Sequence, residues 1–401
     1  MKILVQKFGG TSVSTHERRE DVVNKVIKAK KDGYFPVVVV SAMGRKGQPY
    51  ATDTLLSLIS DNFKVKNKLA CDLIMSCGEI ISAVVLSDEI SKRELHAVPI
   101  TGAQASIITD DNYNEASVIN VDPKKLFEII GSNKIPIVSG FQGISKSGFI
   151  TTIGRGGSDV TAVLLGNALK AEKVEIYTDV DGIMTADPRV VADASLIKEI
   201  SYNEVFQLAD QGAKVIHPRS VRIAMNSNIP LVIKNTLNNS TGTIISNSIM
   251  ENQDRIISGI TSVNNRVQIT VKYDENPQNK NYFNLFDELA DNLISIDLIN
   301  VFKKQKIFTI DNKDIENFKI VAESLGLKYS IVEECTKIAL VGNGMRGIPG
   351  VMANILKILA KENIQVLQTA DSHTTIWCLV ESRFENTAIN ALHKGFGLSE
   401  N

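Results

Sequence analysis

Hydrophobic and polar positions divide the chain into two regions with different patterns. In the first region, which ends near residue 235, short apolar runs alternate with segments whose apolar residues recur every three or four positions. This alternation predicts buried strands joined by amphipathic helices, and therefore an α/β domain whose mostly parallel sheet has helices on both faces. The predicted strands are 3–5, 37–40, 97–100, 135–139, 174–178 and 230–233, and the predicted helices are 18–31, 53–60, 66–87, 124–130, 159–169 and 203–226.

The pattern changes near Leu237, where a polar, turn-rich stretch begins. We predict an N-terminal domain over 1–237 and a linker over 238–258. Beyond the linker, residues 285–290 and 355–360 share one apolar pattern. Two copies of a small β-α-β unit, at 259–330 and 331–401, would explain this repeat, although chance similarity between two amphipathic helices is the alternative.

Composition narrows the class of protein. The net charge is −1, with 43% hydrophobic and 22% charged residues, so no basic field favours nucleic acid or an anionic membrane. We find no run of about eighteen apolar residues and no signal peptide, and expect no membrane span. The four cysteines have no CxxC spacing, so we expect reduced thiols in a cytoplasmic protein.

The first strand ends in a combination typical of phosphate binding. Lys7 is followed by Phe8 and by two glycines, Gly9 and Gly10. Glycines allow backbone N–H groups to approach an anion closely, and the lysine adds a positive charge. Parallel sheets bind ligands beyond the carboxyl ends of their strands, where this turn is predicted to lie. The spacing matches neither the P-loop nor the dinucleotide fingerprint, so an ordinary strand–helix turn is the alternative.

Polar residues also follow the second strand and interrupt a long apolar helix. Ser41 and Thr52 could hydrogen-bond a polar ligand, although Thr52 or Asp53 could equally be a helix N-cap. Glu79 lies within the apolar helical pattern. Because a buried carboxylate must be paired or bound to a ligand, Glu79 is a candidate ligand-binding residue, with a salt bridge on the helix as the alternative.

The stretch Thr-Thr-Ile-Gly-Arg-Gly-Gly-Ser-Asp at 151–159 carries the most chemistry. Its three glycines flank Arg155, and Ser158 or Asp159 is predicted to cap the next helix. An arginine on such a backbone can bind a carboxylate through two hydrogen bonds. N–H groups at the helix start would add anion binding. A flexible surface loop with a charged tip is the alternative.

A second polar loop, 177–189, follows the strand that ends at Thr178. Its aspartates are not in EF-hand order, because no glutamate closes a loop of twelve residues. Carboxylates together with Arg189 suit a nucleotide whose Mg²⁺ is held largely by phosphate oxygens and water. Downstream, Lys214 offers a second lysine, whereas His217, before a proline, is expected to be structural.

Taken in order, these motifs resemble those of aspartokinases, members of the amino acid kinase superfamily. The matching stretches are Lys-Phe-Gly-Gly-Thr-Ser at 7–12, Ser-Cys-Gly-Glu at 76–79, Thr-Ile-Gly-Arg-Gly-Gly-Ser-Asp at 152–159, Tyr-Thr-Asp-Val-Asp-Gly at 177–182, Ala-Asp-Pro-Arg at 186–189 and Gly-Ala-Lys-Val-Ile-His-Pro at 212–218. The C-terminal repeat resembles the family's tandem ACT domains. The resemblance therefore covers the whole chain and implies a monofunctional enzyme with an amino acid kinase-like domain and two ferredoxin-like ACT units.

The resemblance implies transfer of the ATP γ-phosphoryl group to the side-chain carboxylate of L-aspartate, giving 4-phospho-L-aspartate for lysine, diaminopimelate, threonine and methionine biosynthesis. Lys7 would contact the transferring phosphoryl group, Asp159 would orient Lys7 or the substrate amine, and Mg²⁺ would be held mainly through ATP. Substrate-binding residues implied are Thr52, Glu79, Arg155, Gly156, Gly157 and Ser158. Nucleotide-binding residues implied are Lys7, Phe8, Gly9, Gly10, Ser41, Thr178, Asp179, Gly182, Ile183, Met184, Asp187, Pro188, Arg189, Lys214 and Val215.

The ACT-like repeats imply feedback regulation. Residues 343–350 resemble the glycine-rich ACT loop that ends in Pro-Gly, whereas the first repeat has Asn279 and Lys280 where the second has Pro349 and Gly350. The family's ACT units commonly bind an end-product amino acid, so lysine, threonine or diaminopimelate is the implied effector. They also imply a homodimer or a larger assembly.

Two alternatives to an aspartate kinase are considered. One is another amino acid kinase, acting on acetylglutamate, glutamate or uridylate; the other is an amino-acid sensor that no longer turns over. The full Gly-Arg-Gly-Gly-Ser-Asp run and the tandem ACT-like units argue against the first. The candidate residues Lys7, Glu79, Arg155, Asp159 and Lys214 argue against the second.

Overall fold

The computed structural model describes residues 1–213, 215–247, 256–273, 280–345 and 348–399. These residues form two compact units. The first unit comprises 1–183, 196–210 and 215–247, and the second comprises 184–195, 211–213 and 256 onward. Two short stretches of the predicted N-terminal domain, 184–195 and 211–213, therefore belong to the second unit.

The first unit alternates strands and helices. Its strands are β1 (Ile3–Phe8), β2 (Phe35–Val40), β3 (Ala97–Ile100), β4 (Ile107–Thr109), β5 (Val118–Val121), β6 (Ile135–Ser139), β7 (Gln142–Ser145), β8 (Ile150–Thr152), β9 (Lys173–Thr178), β10 (Glu199–Ile200), β11 (Leu231–Asn235) and β12 (Thr243–Ile245). Its helices are α1 (His16–Lys31), α2 (Thr52–Leu56), α3 (Asp61–Lys66), α4 (Lys68–Ser91), α5 (Lys124–Gly131), α6 (Gly157–Ala168), α7 (Tyr202–Asp210) and α8 (Pro218–Ser227).

The predicted mostly parallel sheet is confirmed. Eight strands lie in the order β10–β12–β11–β9–β1–β2–β6–β3, and all six predicted strands are among them. Neighbouring strands are parallel except for β11 and β12. In the middle of the sheet, Lys7 of β1 pairs with Val39 of β2 and Ile176 of β9. A separate sheet of four strands, in the order β5–β4–β7–β8, belongs to the same unit.

One helix prediction is wrong. The apolar pattern over 203–226 predicts one helix, but α7 ends at Asp210 and α8 begins at Pro218. Gly212 has φ +113°, a conformation that side-chain-bearing residues rarely adopt. His217 is the N-cap of α8 and accepts a hydrogen bond from the Arg219 N–H. Because Pro218 has no N–H to donate, it suits the first position of a helix and not its interior.

Helix α4 is the long apolar helix of the first unit. By length and composition alone it is sufficient for crossing a membrane. Half of its apolar window is buried within the protein, however, and the helix packs against β3, β6 and β8. It also carries three buried carboxylates, Asp72, Glu79 and Glu89. Because ionisable groups are costly in lipid, these features are those of a core helix.

The second unit contains one antiparallel sheet with helices packed against it. Its strands are β13 (Gly259–Lys272), β14 (Asp297–Phe302), β15 (Gln305–Asp311), β16 (Lys328–Val341), β17 (Gln368–Asp371) and β18 (Thr375–Glu381). Its helices are α9 (Lys280–Asp291), α10 (Ile315–Ser324), α11 (Val351–Lys361) and α12 (Glu385–Gly395). The strand order is β14–β15–β13–β16–β18–β17.

Two hydrophobic cores share the long strands β13 and β16. Ile260 and Ile338 belong to one core, together with α11 and α12. Val267, later in β13, belongs to the other core, together with α9 and α10, and Ile331 of β16 packs against it. Two small α+β cores agree with the predicted pair of ACT-like units. The predicted boundary between residues 330 and 331 lies inside β16, a strand that serves both cores.

Candidate active site

A cavity of about 640 Å³ lies in the first unit beyond the carboxyl ends of β1 and β2. It brings together residues that are far apart in the sequence. All six predicted substrate-binding residues line it, as do both predicted catalytic residues. The predicted residues in its lining are Lys7, Gly10, Ser41, Thr52, Glu79, Arg155, Gly156, Gly157, Ser158 and Asp159.

Lys7 and Asp159 form an ion pair in the wall of this cavity. The Lys7 Nζ lies 2.6 Å from the Asp159 Oδ1, and the two side chains are only 12% and 14% exposed. Lys7 is on β1 and Asp159 is in the first turn of α6. A charge-assisted contact with little exposure to water holds the ammonium group in one place.

The two glycines after Lys7 have different surroundings. The Gly9 N–H donates to the carbonyl of Tyr177 at 3.2 Å. A Cβ on Gly10 would lie 2.5 Å from the carbonyl oxygen of Ala42, so only glycine fits there. Because the Gly9 N–H is already bonded, Gly10 is the candidate donor to an anion in this turn.

Glu79 presents a free carboxylate oxygen in a buried position. The residue is 3% exposed, and its Oε1 accepts from the Ala42 N–H at 3.0 Å. Its Oε2 is buried and has no hydrogen-bond partner among the described residues. Burial raises the pKa of the Glu79 carboxyl to about 8. No salt bridge on α4 engages Glu79 within the described part of the chain, so the ligand-binding interpretation is favoured.

The glycine-rich loop leads into α6 in a way that differs from the prediction. The N-cap is Gly156, at φ +70°, and no side chain caps the helix. The prediction that Ser158 or Asp159 is the cap is therefore wrong, because both lie in the first turn. First-turn N–H groups have no partner within a helix, so an uncapped N-terminus can bind an anion.

Two residues of the 217–219 stretch support the glycine-rich loop. A Cβ on Gly156 would lie 2.4 Å from the Cγ of His217. The Arg219 Nη1 donates to the carbonyl of Ile153 at 2.8 Å.

Arg155 is exposed, lines the cavity and forms no ion pair with any residue that the structure describes. Its guanidinium is therefore available to a ligand.

Several residues at this site were not predicted from the sequence, and three of them form one connected group. Asn114 and Glu115 line the cavity, and buried Asp72 holds Asn114. Asn114 and Glu115 lie in the loop between β4 and β5. Nothing in the local sequence marks this loop, because long-range contacts position it: β4 pairs with β7, and Asp72 holds Asn114.

The candidate nucleotide residues of the first unit are in part occupied by protein contacts. The Asp179 Oδ2 forms an ion pair with Arg45 at 2.6 Å. The Ile183 N–H donates to the Thr243 hydroxyl at 2.8 Å, and the Ile183 side chain is buried. Phe8 is buried as well and stacks on Tyr177. A ligand could therefore reach Phe8 and Ile183 through their backbones only.

Other candidate nucleotide residues, Met184, Asp187, Pro188 and Arg189, belong to the second unit. The Arg189 Nε donates to the Asp187 Oδ1 at 3.0 Å, and this hydrogen bonding lowers the pKa of Asp187. Val215 is half-buried in the first unit, and Lys214 lies outside the described residues. Within the described ranges, no cluster of three or more His, Cys, Asp or Glu could hold a metal ion.

The stretch after Met184 is built into the hydrophobic core around α12. Ala186 and Val191 belong to that core. The Thr185 hydroxyl shares a 2.8 Å hydrogen bond with the Nε2 of His393 on α12, and both residues are fully buried. The Ile260 N–H donates to the carbonyl of Thr185 at 2.8 Å. These contacts fix the backbone immediately before Asp187.

The ACT-like loop is described only in part. Helix α11 begins at Val351 after an N-cap glycine, Gly350, at φ +91° and without a side-chain cap. Arg346 and Gly347 lie outside the described residues. The contrast with the first repeat also lies outside them, since Asn279 and the side chain of Lys280 are not described.

Comparison with known proteins places the chain in a family. The amino acid kinase family model matches residues 2–235, and an ACT domain model matches 330–394. Aspartokinase 1 of Bacillus subtilis strain 168 is 40% identical over 409 residues, which cover 100% of both chains. The structure of E. coli aspartokinase III with lysine and aspartate has a TM-score of 0.74 and 25% identity, covering 99% of this chain and 100% of that one. The same enzyme with aspartate and ADP has a TM-score of 0.74 and 24% identity, covering 98% and 99%, and shares the fold. The chain belongs to the aspartokinases, within the amino acid kinase family.

Proposed function

We propose that this chain transfers the γ-phosphoryl group of ATP to the side-chain carboxylate of L-aspartate within the cavity of the first unit. One observation carries the proposal. The same cavity contains a fixed ammonium group at Lys7, a free guanidinium at Arg155 and an unpartnered carboxylate oxygen at Glu79. This arrangement complements an amino acid with two carboxylates that reacts with a phosphoryl group.

The substrate's α-amino and α-carboxylate groups have distinct partners in this proposal. The Glu79 Oε2 receives the α-ammonium, which satisfies a buried oxygen that otherwise lacks a partner. Arg155 binds the α-carboxylate through two hydrogen bonds. Thr52 and Ser158 add hydrogen bonds, and Gly156 and Gly157 let the backbone approach. The side-chain carboxylate then points toward Lys7.

The transferring phosphoryl group lies between Lys7, the Gly10 N–H and the first-turn N–H groups of α6. Phosphoryl transfer requires mainly that reactants are positioned and that charge is neutralised. Asp159 keeps the ammonium group of Lys7 in place. No general base is needed, since an aspartate side chain, with a pKa of about 3.9, is already ionised at pH 7.

The nucleotide is assigned to residues at and after the ends of β1, β2 and β9, together with Lys214 and Val215. Mg²⁺ would be held mainly through ATP, in keeping with its preference for few protein carboxylates and several waters, and would supply neutralisation of phosphate charge. The candidates are Lys7, Phe8, Gly9, Gly10, Ser41, Thr178, Asp179, Gly182, Ile183, Met184, Asp187, Pro188, Arg189, Lys214 and Val215.

The second unit is assigned a regulatory role. E. coli aspartokinase III has been solved with lysine and aspartate bound. For this chain we infer an amino-acid effector at the ACT-like units, with lysine, threonine and diaminopimelate as the candidates. We also infer a homodimer or larger assembly formed through these units.

The decisive experiment is formation of acyl phosphate, trapped as the hydroxamate, in the presence of ATP and Mg²⁺. We expect turnover with aspartate and none with glutamate or acetylglutamate. Each candidate effector is then added in turn, and inhibition by one of them identifies the regulator. If folded protein gave no turnover with aspartate, the proposed aspartate kinase activity would be excluded. An amino-acid sensor would then be the remaining hypothesis, and calorimetry would show whether the protein binds aspartate.

A further inference from the structure

Asp72 is a fully buried carboxylate on α4 that does not itself line the cavity. The backbone N–H of Asn114 donates to both of its oxygens at 3.0 Å, and the Asn114 Nδ2 donates to Oδ1 at 2.7 Å. The Thr152 N–H donates to Oδ2 at 3.0 Å, and the Thr152 hydroxyl donates to Oδ1 at 2.6 Å. No cation pairs with Asp72 among the described residues. Among the described residues, the Asp72 carboxylate is therefore stabilised by hydrogen bonds from two segments that lead to the cavity.

The two partners of Asp72 lead directly to the cavity wall. Asn114, at φ +73°, and its neighbour Glu115 are lining residues. Thr152 ends β8, and the chain continues through Gly154 to Arg155, which also line the cavity. Asp72 thus ties both segments to α4.

Helix α4 carries a second buried carboxylate on the same face. Glu79 follows Asp72 by two helical turns, since an α-helix has about 3.6 residues per turn. Glu79 lines the cavity and has one oxygen without a partner among the described residues, whereas both oxygens of Asp72 accept hydrogen bonds within the protein. One helix therefore sets the position of Glu79 and, through Asp72, that of the segment carrying Arg155.

We propose that Asp72 is a positioning residue that sets the spacing between Arg155 and Glu79, and with it the fit of an α-amino acid. The inference rests on the proposed function, in which these two residues bind the α-carboxylate and the α-ammonium. Only an ionised carboxylate can accept all of the bonds donated by Asn114 and Thr152. An asparagine in place of Asp72 would present an NH₂ group toward one of these donors. The part of the cavity wall formed by Asn114, Glu115 and the 152–155 segment would then shift.

The test compares Asp72→Asn with Glu89→Gln. Glu89 is also a buried carboxylate on α4, but it contacts His16 and Arg19 and does not line the cavity. We expect Asp72→Asn to raise KM for aspartate by about tenfold or more, because misplacement by about 1 Å can cost on the order of 100-fold. KM for ATP should change less than KM for aspartate, since the segments that Asp72 holds carry assigned substrate-binding residues and none of the assigned nucleotide-binding residues. Glu89→Gln should lower thermal stability while leaving both KM values unchanged.

Thr152 provides a second pair of variants in case Asp72→Asn does not fold. Thr152→Val removes the hydroxyl and should weaken aspartate binding, whereas Thr152→Ser keeps the hydroxyl and should restore it. Aspartate binding is measured by calorimetry, independently of turnover. Folded Asp72→Asn or Thr152→Val protein that binds aspartate like the wild type would overturn the inference, as would an equal effect of Glu89→Gln. If the wild-type protein neither binds nor phosphorylates aspartate, the proposed function itself fails.

Discussion

The Nζ of Lys7 and the Oδ1 of Asp159 lie 2.6 Å apart, although the two residues are far apart in the sequence. Lys7 precedes the Gly-Gly turn after β1, and Asp159 lies in the first turn of α6. The ion pair therefore joins the candidate phosphate-binding turn at Gly9 and Gly10 to the candidate substrate loop, which is the glycine-rich stretch 152–159. We expect Asp159 to act on catalysis through the position of Lys7.

Replacing Lys7 tests this assignment first. Lys7→Ala should lower kcat by about 10²–10³-fold, the usual effect of losing one donor that stabilises transition-state charge. Aspartate binding should persist, because Glu79 and Arg155 are intact. The measurements are hydroxamate formation and calorimetry with aspartate. Lys28→Ala removes a lysine from an exposed pair with Asp32 and is the matched control.

Asp159→Asn and the double variant complete the cycle. If Asp159 acts only by holding Lys7, the double variant should be no slower than Lys7→Ala alone, since effects of residues that act as a unit are not additive. Fully additive losses in kcat would instead give Asp159 an independent role.

The pKa of Glu79 makes aspartate binding pH-dependent. Burial raises the pKa from 4.5 to about 8, so the carboxyl is largely protonated at pH 7 in the absence of ligand. Binding an ammonium group requires the carboxylate, so aspartate binding should release a proton. Affinity should rise by up to about tenfold per pH unit as pH increases toward 8, and level off above that value.

Calorimetry in two buffers with different ionisation enthalpies measures the proton release. Glu79→Gln should bind aspartate more weakly and without this release. The free energy of unfolding should change with pH in the opposite direction to aspartate affinity, because without ligand the folded state binds more protons than the unfolded state. The contribution of Glu79 to the free energy of unfolding should therefore fall as pH rises from 4.5 to 8. Proton uptake on aspartate binding would contradict the assignment.

Much of the site could be predicted because its residues follow the ends of parallel strands or begin helices. Lys7 lies near the end of β1, whereas Glu79 was identified because it interrupts the apolar pattern of α4, and both line the cavity. Asp72 and Asn114 could not be found this way, because their roles depend on how β4 and β8 pair with β7. The start of α6 was misplaced because the left-handed φ of Gly156 is a property of the folded loop.

The second unit shows a different limit. The repeat in its sequence correctly predicted two small α+β cores. The sharing of β13 and β16 between both cores depends on long-range register, which no local pattern encodes. The inclusion of Thr185 in the core beside His393 could not be foreseen for the same reason, since the two residues are far apart in the chain.

The hydrogen bond between Thr185 and His393 gives a prediction for nucleotide binding. Burial lowers the pKa of His393, which favours its neutral ring. Thr185→Val leaves the ring nitrogen unpaired in a buried position, which costs about 1–3 kcal/mol of stability. Because Thr185 stands two residues before Asp187, we expect KM for ATP to rise while KM for aspartate stays constant.

Matched variants separate this local effect from general destabilisation. Thr185→Ser keeps the hydroxyl and should retain the wild-type KM for ATP. Thr336→Val removes another buried hydroxyl of the second unit, one that bonds to Asn264, and should lower stability alone. A rise in KM for ATP in both valine variants would mean that destabilisation, not the Thr185 contact, is responsible.

A pair of glycines tests how tightly the substrate loop is packed. Gly156 has φ +70°, and a Cβ there would lie 2.4 Å from the Cγ of His217. Gly148 has φ +86° but nothing within 4 Å of a Cβ. Both alanine variants therefore bear the cost of a left-handed conformation, about 1–2 kcal/mol, whereas only Gly156→Ala also forces His217 or the loop to move. We expect both variants to lose stability, and Gly156→Ala alone to raise KM for aspartate, by about tenfold or more. Equal KM values in the two variants would show that the loop can yield without disturbing the substrate, and that the contact with His217 does not set its position.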